Sequence, residues 1–192
     1  MWPPRTSRRA SPAGTGPAAD ERVYYVLFLC TGNSARSILA EALIGHWGKG
    51  RFKGYSAGSF PKGAVHSLAL EELERHHLPT SGLRSKSWNE LARLGAPVMD
   101  FVFTVCDQAA SEVCPVWPGN PVTAHWGVPD PAAVTGTEAQ MRKAFRDVYL
   151  ALENRIKIFV ALPIERLDRL AIKQEVEAIG HVRVVEAGEP AP

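Results

Sequence analysis

The stretch that decides the fold runs from residue 23 to residue 37 and reads VYYVLFL followed by CTGNSARS. Its first seven residues are apolar, aromatic or β-branched, which is typical of a buried strand. The sequence that follows, ILAEALI at residues 38–44, is compatible with a helix. Residues 30–37 are therefore predicted to form a loop at the carboxyl end of a strand, leading directly into a helix.

A loop of this kind gathers backbone N–H groups at the positive end of a helix dipole, and such an arrangement binds anions. Arg36 adds a planar fork of donors that suits a tetrahedral oxyanion, and Gly32 lets the backbone come close to it. The predicted oxyanion-binding residues are Thr31, Gly32, Asn33, Ser34, Ala35 and Arg36.

Cys30 stands at the rim of this predicted cradle, where we expect the same positive field to lower its pKa and supply a thiolate nucleophile. Ser37 is expected to hydrogen-bond the thiolate or a leaving group. The alternative is a buried structural Cys30 that ends a core strand, with Arg36 in a surface ion pair. Motif matches carry a risk of false positives, but here the strand, the loop and the helix all agree with the motif Cys-x5-Arg-Ser.

The composition describes an ordinary globular chain. With 192 residues, 45% of them hydrophobic and a net charge of +2, it is long enough for one domain with a sizeable core. The small charge argues against nucleic acid or a membrane surface as the main partner, and no apolar run approaches the ~20 residues of a membrane span. Three cysteines are an odd number, which argues against a secreted disulfide framework.

We predict three regions. Residues 1–22 are rich in Pro, Ala, Gly, Ser and Arg, lack the apolar core of a secretory signal, and are expected to be a disordered extension. Residues 23–180 form a single catalytic α/β domain, and residues 181–192 form a C-terminal tail.

Within the domain, apolar periodicity makes helices alternate with strands. Helices are predicted over residues 37–47, 65–77, 88–94, 137–157 and 164–179, and further strands over residues 52–57, 98–105 and 121–126. This order predicts an open, mainly parallel sheet with helices on both faces. In such sheets ligands bind beyond the carboxyl ends of the strands.

Three predicted strands end in residues that could carry chemistry, namely Cys30, Cys106 and the loop that holds Asp130. Pro129 and Pro131 stiffen the backbone around Asp130, and a positioned carboxylic acid there could protonate a departing oxygen. The alternative is a turn aspartate, which is common in such Pro-rich contexts.

Cys106 and Cys114 admit several interpretations. A zinc site needs more ligands than the chain readily supplies, whereas a disulfide requires Cα atoms within ~7 Å of each other. A relay would use all three thiols: Cys106 attacks a modified Cys30, and Cys114 then attacks the resulting disulfide. This relay requires substantial movement of residues 106–117, and two inert loop thiols remain the alternative.

The six histidines are expected to be structural. None has a partner at metal-ligand spacing, so no metal site is predicted. His66 is expected at the start of a helix. His76 and His77 are expected at the end of that helix, where a positive charge interacts favourably with the helix dipole. His125 is expected to line the pocket beside Asp130.

Together these motifs resemble an arsenate reductase built on the low-molecular-weight tyrosine phosphatase fold. The resemblance covers about residues 23–158. It is carried by CTGNSARS at 30–37, SAGS at 56–59, TVCD at 104–107, CP at 114–115 and HWGVPDP at 125–131.

The resemblance implies that Cys30 attacks arsenate held by the loop amides and Arg36, and that Asp130 is the general acid. It implies that Cys106 resolves the arseno-cysteine adduct and that Cys114 moves the redox-active disulfide outward. It further implies that no cofactor is bound and that the external reductant is thioredoxin, or glutathione with glutaredoxin. We expect a monomer that detoxifies arsenate in the cytoplasm.

Some relatives bind a monovalent cation beside this P-loop. Asn33, Glu41 and Ser56 match its ligands, but Trp88 stands where a carboxylate ligand would be. The resemblance therefore does not extend to a cation site.

Two other functions are possible. A low-molecular-weight phosphatase would use Cys30 and Asp130 equally well, but such enzymes usually carry an aromatic residue after the Asp-Pro pair, where this chain has Ala132 and Ala133. A phosphatase also has no use for Cys106 and Cys114. A non-enzymatic oxyanion sensor is the third possibility, and the presence of nucleophile, arginine and acid together argues against it.

Overall fold

A computed structural model describes residues 22–113 and 115–183 of the chain. The strands in these ranges are β1 (Tyr24–Cys30), β2 (Phe52–Gly58), β3 (Phe101–Thr104) and β4 (Val122–His125). The helices are α1 (Arg36–Trp47), α2 (Ser67–Arg75), α3 (Asn89–Ala92), α4 (Asp107–Ser111), α5 (Glu138–Val160) and α6 (Arg169–Gly180). Short 3₁₀ turns cover Pro131–Ala133 and Ile164–Arg166.

The strands form one parallel sheet in the order β2-β1-β3-β4. From β1, the chain adds β2 on one side and later β3 on the other, so the boundary between β1 and β3 is the switch point where such sheets bind ligands. Cys30 ends β1 on one side of this boundary, and Cys106 follows β3 on the other. The predicted α/β architecture is confirmed.

The two faces of the sheet are covered unequally. Alternate side chains of β1, such as Val26 and Phe28, enter a large core formed with α1, α5 and α6. In that core the ring of Trp126 stacks on that of Phe103, with centroids 4.2 Å apart. The intervening Leu27 and Leu29 enter a smaller core on the opposite face, where α3 contributes. This alternation is what a strand buried on both faces requires.

Several element boundaries differ from the prediction. The last helix does not begin at Ile164, which lies in a 3₁₀ turn; Asp168 caps a new helix by accepting a hydrogen bond from the Ala171 N–H at 2.9 Å. The strand predicted over 98–105 is limited to Phe101–Thr104, and α4 was not predicted.

Parts of the chain lie outside the described residues. They include most of the predicted extension over 1–22, Cys114, and most of the predicted tail over 181–192, so these predictions stay untested. In the part of the chain that the structure describes, no helix combines the length and apolarity needed to cross a bilayer.

Candidate active site

Residues 30–36 curve around a pocket of about 180 Å³ at the carboxyl end of β1. The pocket joins the predicted nucleophile, the guanidinium of Arg36 and the predicted acid Asp130, although Asp130 lies 94 residues further along the chain than Arg36. Its lining residues are Cys30, Thr31, Gly32, Ser34, Ala35, Arg36, Phe60, Lys62, Gln108 and Asp130.

Cys30 is 3% exposed and its sulfur is held by two groups of the loop. The Ser37 Oγ lies 2.9 Å from Cys30 Sγ, and the Asn33 backbone N–H donates to the same sulfur at 3.2 Å. Burial raises the pKa of the Cys30 thiol, because an ionised sulfur loses hydration; hydrogen bonds from Ser37 and the charge of Arg36 act in the opposite direction. The expectation of a lowered pKa is therefore wrong for this pocket, in which desolvation outweighs the positive field.

Arg36 and Asp130 form an ion pair across the mouth of the pocket. Arg36 Nη2 lies 3.2 Å from Asp130 Oδ2, and Arg36 Nη1 donates to the Val128 carbonyl at 3.5 Å. Asp130 Oδ1 also accepts the Ala132 N–H at 3.2 Å, which fixes the carboxylate at the start of a 3₁₀ turn. An incoming oxyanion would compete with Asp130 for the guanidinium and would place its own oxygens beside this carboxyl group.

The loop that carries Asp130 is held from behind by Arg155 of α5. This buried guanidinium donates to the Trp126 carbonyl at 2.8 Å and to the Gly127 carbonyl at 3.1 Å. Burial lowers the pKa of Arg155 from its usual high value. The position of Asp130 thus depends on a residue that no motif singled out.

Asn33 supports the loop from within. Its backbone adopts a left-handed conformation with φ 41°, which asparagine tolerates better than most residues. Its side chain does not line the pocket: Nδ2 donates to Ser37 Oγ and to Ser56 Oγ, each at 2.9 Å. Gly58 makes room for this arrangement, because a Cβ there would lie 2.4 Å from the Thr31 carbonyl oxygen.

Cys106 lies close to the oxyanion loop. Its Sγ is 3.7 Å from Thr31 Oγ1 and accepts the Ala109 N–H at 3.4 Å, so the cysteine caps α4. Like Cys30, it is a buried free thiol. Thr31 is therefore next to both cysteines: it follows Cys30 in the chain, and its hydroxyl contacts the Cys106 sulfur at the switch point of the sheet. Cys114 lies outside the described residues, so its place in the predicted relay is untested.

Three lining residues were missed by the sequence analysis, namely Phe60, Lys62 and Gln108. Phe60 and Lys62 follow β2, and their backbone N–H groups bond the Thr31 and Gly32 carbonyls at 2.9 Å. The predicted strand over residues 52–57 was a usable signal, because in a parallel sheet the segment after it lies at the same edge as Cys30. Gln108 lies on the unpredicted α4.

The histidines, and a residue that matches a cation ligand of relatives, lie outside the lining of the pocket. His66 caps the start of α2, as predicted. His125 does not line the pocket, because its ring bonds Asp107 and Thr104 instead. Glu41, which matches a cation ligand of relatives, lies 3.4 Å from the ammonium of Lys86. Within residues 22–113 and 115–183, no group of three or more His, Cys, Asp or Glu side chains could hold a metal ion.

Fold and pocket together define a class of proteins: α/β domains that surround an oxyanion site with the loop between the first strand and the first helix, next to a cysteine. The family described as low molecular weight phosphotyrosine protein phosphatase matches residues 25–175, and the chain belongs to this family.

The proteins and structures similar to this chain carry two kinds of name. A protein of Halalkalibacterium halodurans named arsenate reductase is 37% identical over 139 residues, which are 70% of this chain and 93% of the relative. A crystal structure titled arsenate reductase from Archaeoglobus fulgidus is 27% identical, with a TM-score of 0.57, and the match covers 71% of this chain and 99% of that one. The low molecular weight protein tyrosine phosphatase from T. tengcongensis shares the fold at 24% identity, with a TM-score of 0.58, over 75% of this chain and 99% of that chain.

Proposed function

We propose that this protein reduces arsenate to arsenite and passes the electrons through a relay of three cysteines. The observation that carries the proposal is the position of the second thiol. Cys106 Sγ lies 3.7 Å from the Oγ1 of Thr31, which is the loop residue next to Cys30. A hydrolase needs one nucleophile, whereas a reductase needs a second sulfur close to the first. Relatives at 32–37% identity named arsenate reductase support this choice.

In the first step, the Cys30 sulfur attacks arsenic while the loop amides and Arg36 hold the arsenate oxygens. A sulfur–arsenic bond forms, and one arsenic–oxygen bond breaks. Asp130, 3.2 Å from Arg36, would take up the proton that the Cys30 thiol loses and deliver it to this oxygen, which leaves as water. The step leaves arsenic in its +5 state.

In the second step, the Cys106 thiolate attacks the sulfur of Cys30. A disulfide forms between the two cysteines as the sulfur–arsenic bond breaks, and its electron pair reduces arsenic to the +3 state, which leaves as arsenite. Because Cys106 is buried and caps α4, we expect this step to be accompanied by a movement of α4.

In the third step, Cys114 attacks Cys106, which frees the Cys30 thiolate and leaves a disulfide between Cys106 and Cys114. An external thiol donor then reduces this disulfide, and we propose thioredoxin, with glutathione and glutaredoxin as the alternative. Such donors are kept reduced in the cytoplasm, where we therefore place the reaction. The protein is proposed to act as a monomer without a bound cofactor.

The test is arsenite production by the purified protein with either a thioredoxin system or glutathione and glutaredoxin. We expect turnover with one donor, none for Cys30→Ser, and no arsenite release for Cys106→Ser. Cys114→Ser should give at most one turnover with thioredoxin. Unchanged release of arsenite by Cys106→Ser would remove that cysteine from the relay.

Phosphoester hydrolysis is the second candidate, and Phe60 favours it. This aromatic side chain is 74% exposed and lines the pocket, so it could contact the ring of an aryl phosphate where Ala132 and Ala133 cannot. Release of nitrophenol from p-nitrophenyl phosphate measures this activity. A hydrolysis rate above that of arsenate reduction, and unaffected by Cys106→Ser, would reverse the order of the two candidates.

A further inference from the structure

Lys62 lines the pocket, but none of the proposed steps uses it. It is exposed, and among the residues that the structure describes it forms no ion pair with a carboxylate. Lys86, a second lysine beside the loop, differs in both respects. Its backbone N–H donates to Asn33 Oδ1 at 2.7 Å, and its buried side chain is paired with Glu41. Of these two lysines, Lys62 is the one whose charge is available to the pocket.

Backbone hydrogen bonds fix the position of Lys62 beside the oxyanion loop. The Phe60 N–H donates to the Thr31 carbonyl, and the Lys62 N–H donates to the Gly32 carbonyl, both at 2.9 Å. Alternate residues of the segment after β2 therefore pair with consecutive residues of the loop. Because the main chain is held in this way, the side chain of Lys62 starts at the edge of the pocket.

The side chain of Lys62 runs along the loop at Gly32. A Cβ on Gly32 would lie 3.3 Å from Cε, 3.4 Å from Cγ and 3.5 Å from Cδ of Lys62, so three carbons of the lysine lie beside this glycine. Lysine stems commonly pack along a surface in this manner while the ammonium stays in water. Gly32 thus makes room for the lysine as well as for the anion.

The other charges of the pocket do not match those of a doubly charged anion. Arg36 carries one positive charge, but Asp130 lies 3.2 Å away and offsets it. The loop amides contribute partial charges only. Phosphate monoesters carry about −1.5 to −2 charges at pH 7, and free phosphate and arsenate are comparable. Asp130 would repel such an anion unless a second cation were present.

We propose that Lys62 is the second cation of this oxyanion site, which binds the anion through its ammonium and makes the pocket prefer tetrahedral dianions to monoanions. With Arg36 offset by Asp130, Lys62 gives the pocket a net positive charge while Cys30 is a neutral thiol. Because Lys62 is exposed, its field also reaches the solvent and attracts the incoming anion. This inference deepens the proposed function, on which its natural substrate rests, but anion binding can be measured without turnover.

The first test measures how well an anion protects Cys30 from alkylation by iodoacetamide at neutral pH and constant ionic strength, followed by peptide mass spectrometry. Sulfate is the tetrahedral dianion and perrhenate the tetrahedral monoanion. Lys62→Met removes the charge and keeps an unbranched stem, whereas Lys62→Arg keeps the charge. Lys53→Met is the matched control, because Lys53 is exposed near the other end of β2 and does not line the pocket.

We expect Lys62→Met to raise the half-protecting concentration of sulfate about tenfold, as for the loss of one hydrogen bond to a charged group. For perrhenate the rise should be about threefold, because the attraction of one lysine is proportional to the charge of the anion. Lys62→Arg and Lys53→Met should stay within about twofold of the unmodified protein. An equal loss for both anions, no loss for sulfate, or an equal loss in Lys53→Met would overturn the proposal.

The second test separates this inference from the proposed function. In arsenate turnover, Lys62→Met should lower kcat/KM about tenfold, mainly by raising KM, because the lysine holds the anion before and during the reaction alike. A fall in kcat alone would overturn the role in binding. If no thiol donor supports arsenate turnover, the proposed function fails, whereas the comparison of sulfate with perrhenate still decides the role of Lys62.

Discussion

At the scale of single residues, the reactivity of Cys30 depends on a balance between burial and a few donors. Burial raises its pKa, whereas the Ser37 hydroxyl at 2.9 Å and the Asn33 N–H at 3.2 Å favour the ionised sulfur. Because the thiolate is the form that attacks, the reactive fraction increases with pH until the pKa is passed. Each donor that is lost should therefore move the reaction to higher pH.

Ser37→Ala isolates one of these donors. We expect the pH profile of Cys30 alkylation to move upward and the rate at pH 7 to fall about tenfold, as for the loss of one hydrogen bond to a charged group. Rates measured by peptide mass spectrometry would check this. Ser111→Ala, on α4 and exposed, is the matched control; a Ser37→Ala profile at or below that of the unmodified protein would contradict the assigned role.

Sequence and structure agree best for residues that are neighbours in the chain. Cys30, Arg36 and Ser37 belong to one strand-to-helix loop, so local pattern was enough to bring them together. Lys62 and Lys86 reach the loop from other segments, and only packing brings them there. The pKa of Cys30 was misjudged for the same reason, since burial depends on the whole fold rather than on the loop.

At the scale of elements, α5 fixes the loop that carries the proposed acid. Arg155 is 8% exposed and donates to the carbonyls of Trp126 and Gly127. Its Nε is buried without a hydrogen-bond partner, so the side chain already costs some desolvation. The two terminal nitrogens of the guanidinium do find partners, and through the Trp126 and Gly127 carbonyls they hold the loop that carries Asp130.

Arg155→Met should leave those carbonyl oxygens unpaired and lower the free energy of unfolding by about 2–4 kcal/mol. For a chain of this size, that corresponds to a fall in Tm of about 5–10 °C. Thermal unfolding followed by circular dichroism measures it. The exposed Arg146 of the same helix provides the control Arg146→Met, which we expect to lie within about 0.5 kcal/mol of the unmodified protein.

Cys106 caps helix α4, so we expect any approach of its sulfur to Cys30 to move this helix. It is attached to β4 through His125, whose ring lies 2.9 Å from Asp107 Oδ1 and 2.8 Å from Thr104 Oγ1. Asp107 is 95% exposed and His125 is 42% exposed, so this attachment is weak and suited to opening.

We expect His125→Ala to loosen α4 and to accelerate alkylation of Cys106 about two- to fivefold, the range of an exposed ion pair. In a Cys30→Ser background, Cys106 and Cys114 are the two remaining cysteines. Cleavage after Glu112 places them on different peptides, so the alkylation of each is measured separately. His181→Ala, at the exposed end of α6, is the control. An equal Cys106 rate in both variants would show that His125 does not restrain α4.

Local pattern located most of the helices and strands but not all of their ends. Helix α4 has only five residues, too short for a periodic apolar face, and its cap is a cysteine sulfur rather than a usual capping oxygen. The last helix was predicted to begin at Ile164, directly after Pro163, whereas Asp168 is the capping residue that begins α6. A capping side chain was the stronger signal there.

At the scale of the whole molecule, the pocket couples anion binding to folding. Arg36, Asp130 and the loop amides come together only in the folded chain, so an oxyanion binds the native state and stabilises it. At a concentration of 100 Kd, the gain is about 2.7 kcal/mol.

We therefore expect saturating phosphate or arsenate to raise Tm by about 5–10 °C. Thermal unfolding at constant ionic strength, with chloride as the reference anion, measures this shift. Arg36→Ala should remove most of it, whereas Arg146→Ala should retain it. An equal rise with chloride would mean that the stabilisation is a general salt effect and not binding in the pocket.

The sheet order separates two tasks between different strand ends. The ends of β1 and β4 bring Cys30, Arg36 and the Asp130 loop together, whereas the segment after β3 brings Cys106. Replacing Cys106 while keeping the pocket-lining Gln108 would thus change what happens to a captured anion without altering how it is captured. In such an architecture, electron transfer could be gained or lost by remodelling a single connection, because most of the residues that hold the anion come from other strand ends.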